Sequence, residues 1–280
     1  MIGQIERLAK LKQSLDKQTT KNKNNFVSVV SGKGGTGKSV ISLNLAYQLS
    51  LLQKKVLLVD LDLNFSNLGL MLNILPENTL GDYILGKALF DEMITPYRKN
   101  FDLILGDNGV ELTDTESKEI ISAFLTKLES YSSDYDFIIL DNASGLNDRI
   151  AHTLKKAEIM ITVSTTEPTA VMDSYVVFKY AFQKNISAFK YAIVNKANNI
   201  KEGQTAFKNM NEACLKFLSR KINLLGIVSN STKFNQSILN QNILSETHPE
   251  NTTIKQLSKI AQKIVEIGQM ANSQQLKMRA

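Results

Sequence analysis

The stretch Gly32-Lys33-Gly34-Gly35-Thr36-Gly37-Lys38-Ser39 constrains this chain more than any other, because it satisfies G-x-x-x-x-G-K-[ST] in the context that gives the pattern meaning. It follows a run of β-formers, Phe26 to Ser31, and opens a helical pattern, Ser39 to Leu52. Gly32, Gly34, Gly35 and Gly37 let backbone N–H groups, including that of Thr36, turn inward around phosphate oxygens. Lys38 supplies a point charge to the outer phosphates, Ser39 offers a hydroxyl to Mg2+, and the helix start adds its dipole. The loop predicts a nucleoside triphosphate and Mg2+ as ligands.

A strand that feeds a helix through such a loop belongs in an α/β fold, and the remaining pattern agrees. Runs of β-formers recur at Val56 to Leu63, Phe101 to Leu105, Phe137 to Asp141, Ile159 to Ser164, Tyr191 to Asn195 and Leu224 to Ser229. Between them, helical periodicity covers Thr115 to Tyr131, Leu146 to Lys156, Thr169 to Phe182, Thr205 to Lys221 and Thr252 to Gly268. Several strands are continuously apolar, as strands covered on both faces must be. The expectation is a mostly parallel central sheet with helices on both faces, in one domain over residues 26–270. Ahead of it, residues 1–25 read as an amphipathic arm (Ile5, Leu8, Leu11, Leu15) and a polar tether from Lys17; residues 271–280 read as a tail.

Charge and cysteine content exclude several function classes. The 33 Lys/Arg and 27 Asp/Glu leave a net +6, but residues 1–25 hold six of the basic and two of the acidic groups, so the body carries only +2. That near-neutral body argues against a nucleic-acid-binding face. One cysteine and two histidines cannot build a disulfide framework or a Cys/His zinc cage within one chain. Cys214, in a helical pattern with Phe207, Met210, Phe217 and Leu218, is expected as a packed thiol. No run approaches the roughly 18–20 apolar residues of a spanning helix, and no apolar stretch follows the basic N-terminus, so a cytoplasmic protein is expected, at most peripheral on the inner membrane.

The extra lysine of the loop, Lys33 in Lys33-Gly34-Gly35-Thr36-Gly37-Lys38-Ser39, resembles the deviant Walker A signature of the MinD/ParA superfamily of P-loop ATPases. The resemblance implies that Lys33 reaches across an ATP-bound homodimer to the partner's phosphates. Val59-Asp60-Leu61-Asp62, followed by Asn64, Asn67, Leu68 and Gly69, resembles that family's switch I. It implies that Asp62 holds the attacking water and stands among the Mg2+ groups; for Asp60, a tie between strand end and loop stays open. Phe137-Ile138-Ile139-Leu140-Asp141 is an apolar strand closing on a carboxylate, and Asn142-Ala143-Ser144-Gly145-Leu146 resembles switch II. By resemblance Ser39, Asp62 and Asp141 serve Mg2+, the Gly145 N–H faces the terminal phosphate, and Lys33, Lys38 and Asp62 are catalytic. The family more often has a small residue or proline where Asn142 stands. Asn195 falls where the family places an asparagine on adenine. Asn198 stands where a guanine reader has an acid, which favours ATP over GTP.

Within the superfamily, Ile161 to Thr169 with Asp173-Ser174-Tyr175, then Gly226 to Asn230 and His248-Pro249, resemble the FlhG (FleN, YlxH) group. That likeness implies an ATPase switch for flagellar number or placement. Its ATP-bound homodimer recruits partners such as an FlhF-like GTPase and basal-body or regulator proteins. The group's Asp-Gln-Ala-x-x-Leu-Arg element keeps only Gln4 and Leu8 here, so stimulation of such a GTPase is a hypothesis. Ile254, Leu257, Ile260, Ala261, Ile264 and Val265 share one face of the last helix, with Lys255, Lys259 and Lys263 beside it. Two readings stay open for that face, core packing and reversible contact with a membrane surface. The rival functions are a MinD-like division-site protein, a ParA-like partition ATPase, and a nucleotide-gated scaffold with negligible turnover.

Overall fold

The computed structural model describes residues 25–63, 66–107 and 114–277. Residues 1–24 of the expected arm and tether, Asn64 and the last residues of the tail lie outside the described residues, while Asn25, the expected end of the tether, already belongs to the first strand. The strands are β1 (Asn25–Val30), β2 (Val56–Asp60), β3 (Ile94–Arg98), β4 (Phe101–Ile104), β5 (Phe137–Asp141), β6 (Ile159–Ser164), β7 (Phe189–Ala197) and β8 (Asn223–Ser229). The helices are α1 (Lys38–Leu51), α2 (Leu68–Leu72), α3 (Leu80–Ile84), α4 (Asp114–Tyr131), α5 (Asp148–Lys156), α6 (Pro168–Gln183), α7 (Ile200–Leu218), α8 (Thr232–Leu239), α9 (Leu244–Thr247) and α10 (Thr252–Lys277).

All eight strands form one sheet in the order β3-β4-β2-β5-β1-β6-β7-β8, parallel throughout except for β3. The α/β class and the mostly parallel sheet are therefore as expected. With β1 near the middle, the loop that follows it sits over the sheet's centre, at the carboxyl ends of the strands, where open parallel sheets bind ligands.

Side chains along each strand alternate between two cores. In β5, Ile138 and Leu140 join Phe124 and Leu128 of α4, Leu154 of α5 and Phe178 of α6. Phe137 and Ile139 join Leu45 and Leu49 of α1 and Leu257 of α10 on the opposite face. Each fully buried aliphatic or aromatic chain contributes about 1.5–3 kcal/mol. The same alternation decides the chemistry at the strand ends, since the period of two sends Asp141 to the α1 side and the next residue, Asn142, to the α5 side.

Several elements depart from the sequence expectation. β3 was not anticipated because Pro96 interrupts its pattern; the strand survives as an antiparallel edge with a register shift between Pro96 and Arg98. β2 ends at Asp60 rather than continuing to Leu63, because Asp60 is the last residue in register with β5. α7 starts five residues before the expected Thr205, since Asn199 caps it by accepting the Glu202 N–H at 2.9 Å. α10 continues past Gly268 to Lys277, because Gln269 to Lys277 contains no glycine or proline and is rich in helix formers.

The apolar face of α10 is committed to the core: Ile254, Leu257, Ile260, Ala261 and Ile264 are all buried. Of the two readings open for that face, core packing is the observed one. α10 also covers the β8 edge. Lys263 Nζ donates to the Leu225 carbonyl at 2.9 Å, and Gln256 Oε1 accepts the Ser229 N–H at 2.8 Å. Among the described residues, no helix is long and apolar enough to cross a membrane. Cys214 is buried, and burial pushes its thiol up to about 11, as a packed, unreactive cysteine requires.

Candidate functional site

The loop from Gly32 to Ser39 leaves β1 and enters α1 through Gly37, whose backbone is left-handed (φ 84°). A Cβ at Gly37 would lie 2.4 Å from the Asn195 amide nitrogen, so both the turn and its neighbour demand glycine there. Gly32 is required for a different reason, since a Cβ would lie 2.5 Å from the backbone of Asp173 in α6. The end of β7 grips the loop from outside. Asn195 Nδ2 donates to the Thr36 carbonyl at 2.8 Å and Lys196 Nζ to the Gly35 carbonyl at 2.7 Å. With these carbonyls held outward, the amides alternating with them are free to face the other way.

The adjacent ends of β2 and β5 place two buried carboxylates side by side, Asp60 opposite Asp141. Lys38 Nζ reaches Asp141 Oδ1 at 2.7 Å and lies 3.2 Å from Ser39 Oγ. Ser42 Oγ, one turn further along α1, donates to the same Asp141 oxygen at 2.8 Å. Asp60 accepts from the Asp62 N–H at 3.0 Å and from Ser66 Oγ at 2.8 Å, which folds the switch I segment back on the strand end. Burial, and then the Asp141 charge, push Asp60 up to about 7, against the pull of the Asp62 and Ser66 hydrogen bonds and of the Lys38 charge.

These groups face a cleft of about 520 Å³, in the range of small-molecule sites. Gly35, Thr36, Gly37, Lys38 and Ser39 line one side, with Asp62, Asn67 and Ser144 opposite them. The outer wall is apolar, built from Leu70 and Met71 of α2 and Ile238 and Leu239 of α8. Gln241 Nε2 links the two by donating to the Leu70 carbonyl at 3.0 Å. A second cleft of about 560 Å³ lies between α6 and α7, but no strand-end carboxylate reaches it.

Some predicted site residues are engaged within the chain. Lys33 Nζ is 2.8 Å from Glu167 Oε2 and 3.0 Å from Thr169 Oγ1 at the start of α6. Lys33 holds the Glu167 carboxyl below its usual range. The Gly145 N–H donates to the Ser31 carbonyl at 3.0 Å. Asn195 sits beside the loop rather than on the cleft wall. Ser42, Lys196 and Glu167 are additions from the structure. For the first two the sequence signals were a serine one helical turn after Lys38 and a lysine directly after Asn195.

The cleft suits a nucleotide with Mg2+. Thr36 Oγ1 is buried in the loop without a hydrogen-bond partner, the kind of group a phosphate oxygen would satisfy. Ser39 Oγ and Asp141 Oδ1 already flank one cation, the Lys38 ammonium. Among the described residues, no cluster of three His, Cys, Asp or Glu side chains is placed to hold a metal. A hydroxyl and carboxylates completed by substrate phosphates are the oxygen set Mg2+ accepts.

Comparison with known proteins places this arrangement. A family model described as AAA domain matches residues 24–180, more than half of the chain. The antiactivator FleN of Pseudomonas aeruginosa is 25% identical over 247 residues, covering 85% of each chain. The flagellum site-determining protein YlxH of Helicobacter pylori is 26% identical over 261 residues, covering 92% of this chain and 88% of the relative. Among solved structures, the septum site-determining protein MinD of Pyrococcus horikoshii, complexed with Mg-ADP, superposes with a TM-score of 0.72 at 23% identity, covering 89% of this chain and 98% of that one. The chain belongs to the AAA-domain family, whose model matches residues 24–180, and its likeness runs to FleN and YlxH and, in fold, to MinD.

Proposed function

We propose that this chain hydrolyses ATP with Mg2+ and acts as a dimerisation switch controlling flagellar number or placement. The observation that carries the reading is the cleft itself. There the loop carrying both Lys33 and Lys38 faces Asp62 and Ser144, and Asp141 anchors Lys38 from below. The near full-length likeness to FleN and YlxH supports the flagellar assignment.

The residues divide the work. Amides of Gly34 to Ser39 cradle the β- and γ-phosphates, and Lys38 leaves Asp141 to join them. Ser39 and Asp141 would hold Mg2+, which when bound neutralises charge on the phosphates. Asp62, on a segment tied to Asp60, orients the attacking water from the cleft wall. Asn195 fixes the loop and stands next to the base position, while Ile238, Leu239 and Leu70 offer an apolar wall to a purine face. Lys33 exchanges Glu167 and Thr169 for the partner subunit's phosphates, so ATP closes a homodimer and hydrolysis reopens it. The closed dimer recruits flagellar partners, an FlhF-like GTPase among them.

Sedimentation with ADP and with a non-hydrolysable ATP analogue tests this reading. Wild type should dimerise only with the analogue, and Lys33→Ala should stay monomeric with both. A monomer in every condition, or no ATP turnover with Mg2+, would overturn it.

A further inference from the structure

Switch II is held at both ends, and the two holds differ in kind. At the far end, a single backbone bond joins the Gly145 N–H to the Ser31 carbonyl at 3.0 Å. At the near end, Asn142 is buried and uses its whole amide group. Nδ2 donates to Ser28 Oγ at 2.9 Å and to the Val29 carbonyl at 2.9 Å, with the Leu140 carbonyl at 3.1 Å. Oδ1 accepts from Thr153 Oγ1 at 2.7 Å, and the backbone N–H donates to the Val29 carbonyl at 3.2 Å. Ser28 belongs to β1, the strand that launches the phosphate loop, and Thr153 to α5, the helix that follows switch II.

Burying an amide costs free energy unless each of its donors and acceptors finds a partner, and a small apolar residue would fill this place more simply. What a satisfied buried network adds is registry, because its geometry admits one arrangement. We propose that Asn142 is a positioning residue: the fixed pivot of switch II, registered to β1 through Ser28 and to α5 through Thr153, while the Gly145–Ser31 bond is the latch that opens. Ala143 and Ser144 bridge the two, and Ser144 reaches the nucleotide cleft. When a terminal phosphate claims the Gly145 amide, the loop turns about Asn142, and Asp141, one residue before the pivot, keeps its place at the end of β5, where Ser42 Oγ donates to it. This inference rests on the nucleotide-hydrolysing reading of the cleft.

The test uses the full chain and the variants Asn142→Ala, Thr153→Val and Thr153→Ser. Removing the pivot should lower kcat about 10-fold in Asn142→Ala and Thr153→Val, with KM for ATP within about 2-fold, as for a group misplaced only slightly from its reacting partners. Thr153→Ser keeps the hydroxyl and should restore kcat to within about 2-fold of wild type. In the ADP-bound proteins, amides 143–147 should exchange hydrogen about 10-fold faster in the two disabling variants, while amides 32–39 stay unchanged. The pivot is overturned if Thr153→Ser is as slow as Thr153→Val, if KM rises in step with the loss of kcat, or if exchange quickens equally at 32–39. Wild type that binds ATP without turnover would overturn the hydrolysis reading instead, and the exchange comparison would still decide the pivot. Should Asn142→Ala fail to fold, the two Thr153 variants carry the same comparison.

Discussion

Two lysines of one loop, five residues apart, make ion pairs of nearly equal length in opposite surroundings. Lys38 is 5% exposed and pairs with Asp141 at 2.7 Å, beside a second buried carboxylate. Lys33 is 34% exposed and pairs at 2.8 Å with Glu167, itself 65% exposed. Distance does not separate them; solvent does. Water screens the outer pair and competes for both of its members, so it exchanges readily, as the proposed reach of Lys33 to a second subunit requires. The inner pair cannot be broken without leaving charge stranded in the protein, so only another strong anion displaces it.

Breaking the inner pair should give the largest effect. Lys38→Met leaves Asp141 and Asp60 without their shared cation, and unfolding in urea at pH 8 should register a loss of about 3–5 kcal/mol. A loss under about 1 kcal/mol would mean the pair does not anchor the strand ends. Asp60→Asn should act in the opposite direction. The folded protein raises this carboxyl to about 7, so the fold favours its protonated form. The stability it brings is complete below about pH 4 and lost as pH rises through 7. The variant should therefore gain about 1–3 kcal/mol over wild type at pH 8, with the gap closing toward pH 4; a gap independent of pH would contradict the assignment. Asn195→Ala strips the Thr36 carbonyl of its donor and should cost about 1–2 kcal/mol, together with weaker nucleotide binding by titration calorimetry. The outer pair should matter least to folding. Lys33→Ala should leave the urea midpoint where it is while abolishing analogue-driven dimerisation, and Glu167→Gln should lower the analogue concentration needed. A destabilised Lys33→Ala protein would erase the contrast between the two lysines.

Much of this was legible in the sequence for identifiable reasons. The Gly32 to Ser39 pattern forced a strand before it and a helix after it, and continuous apolar runs such as Phe137 to Leu140 announced strands covered on both faces. β3 escaped because Pro96 argues against a strand unless the edge position is known. α2 and α3 are too short to show a period. The residues Gly32, Gly34 to Ser39, Asp62 and Asp141 could be nominated because loop chemistry and strand ends are local features. Their partners could not: Lys33 meets Glu167 across 134 positions, and Asn195 meets Thr36 across 159. The direction of Asn142 was readable in principle, since one step along a strand reverses the face, but Ser28 and Thr153 become its neighbours only once β1 and α5 are packed.

Both margins of the sheet are blunted, one by a proline-bearing strand with a shifted register and the other by Lys263 and Gln256 occupying backbone groups of β8. Ribbon-like growth from one molecule to the next is thereby discouraged at either flank. The proposed dimer is left the rim of loops above the strand tips, where association can be made conditional on fuel rather than on concentration alone.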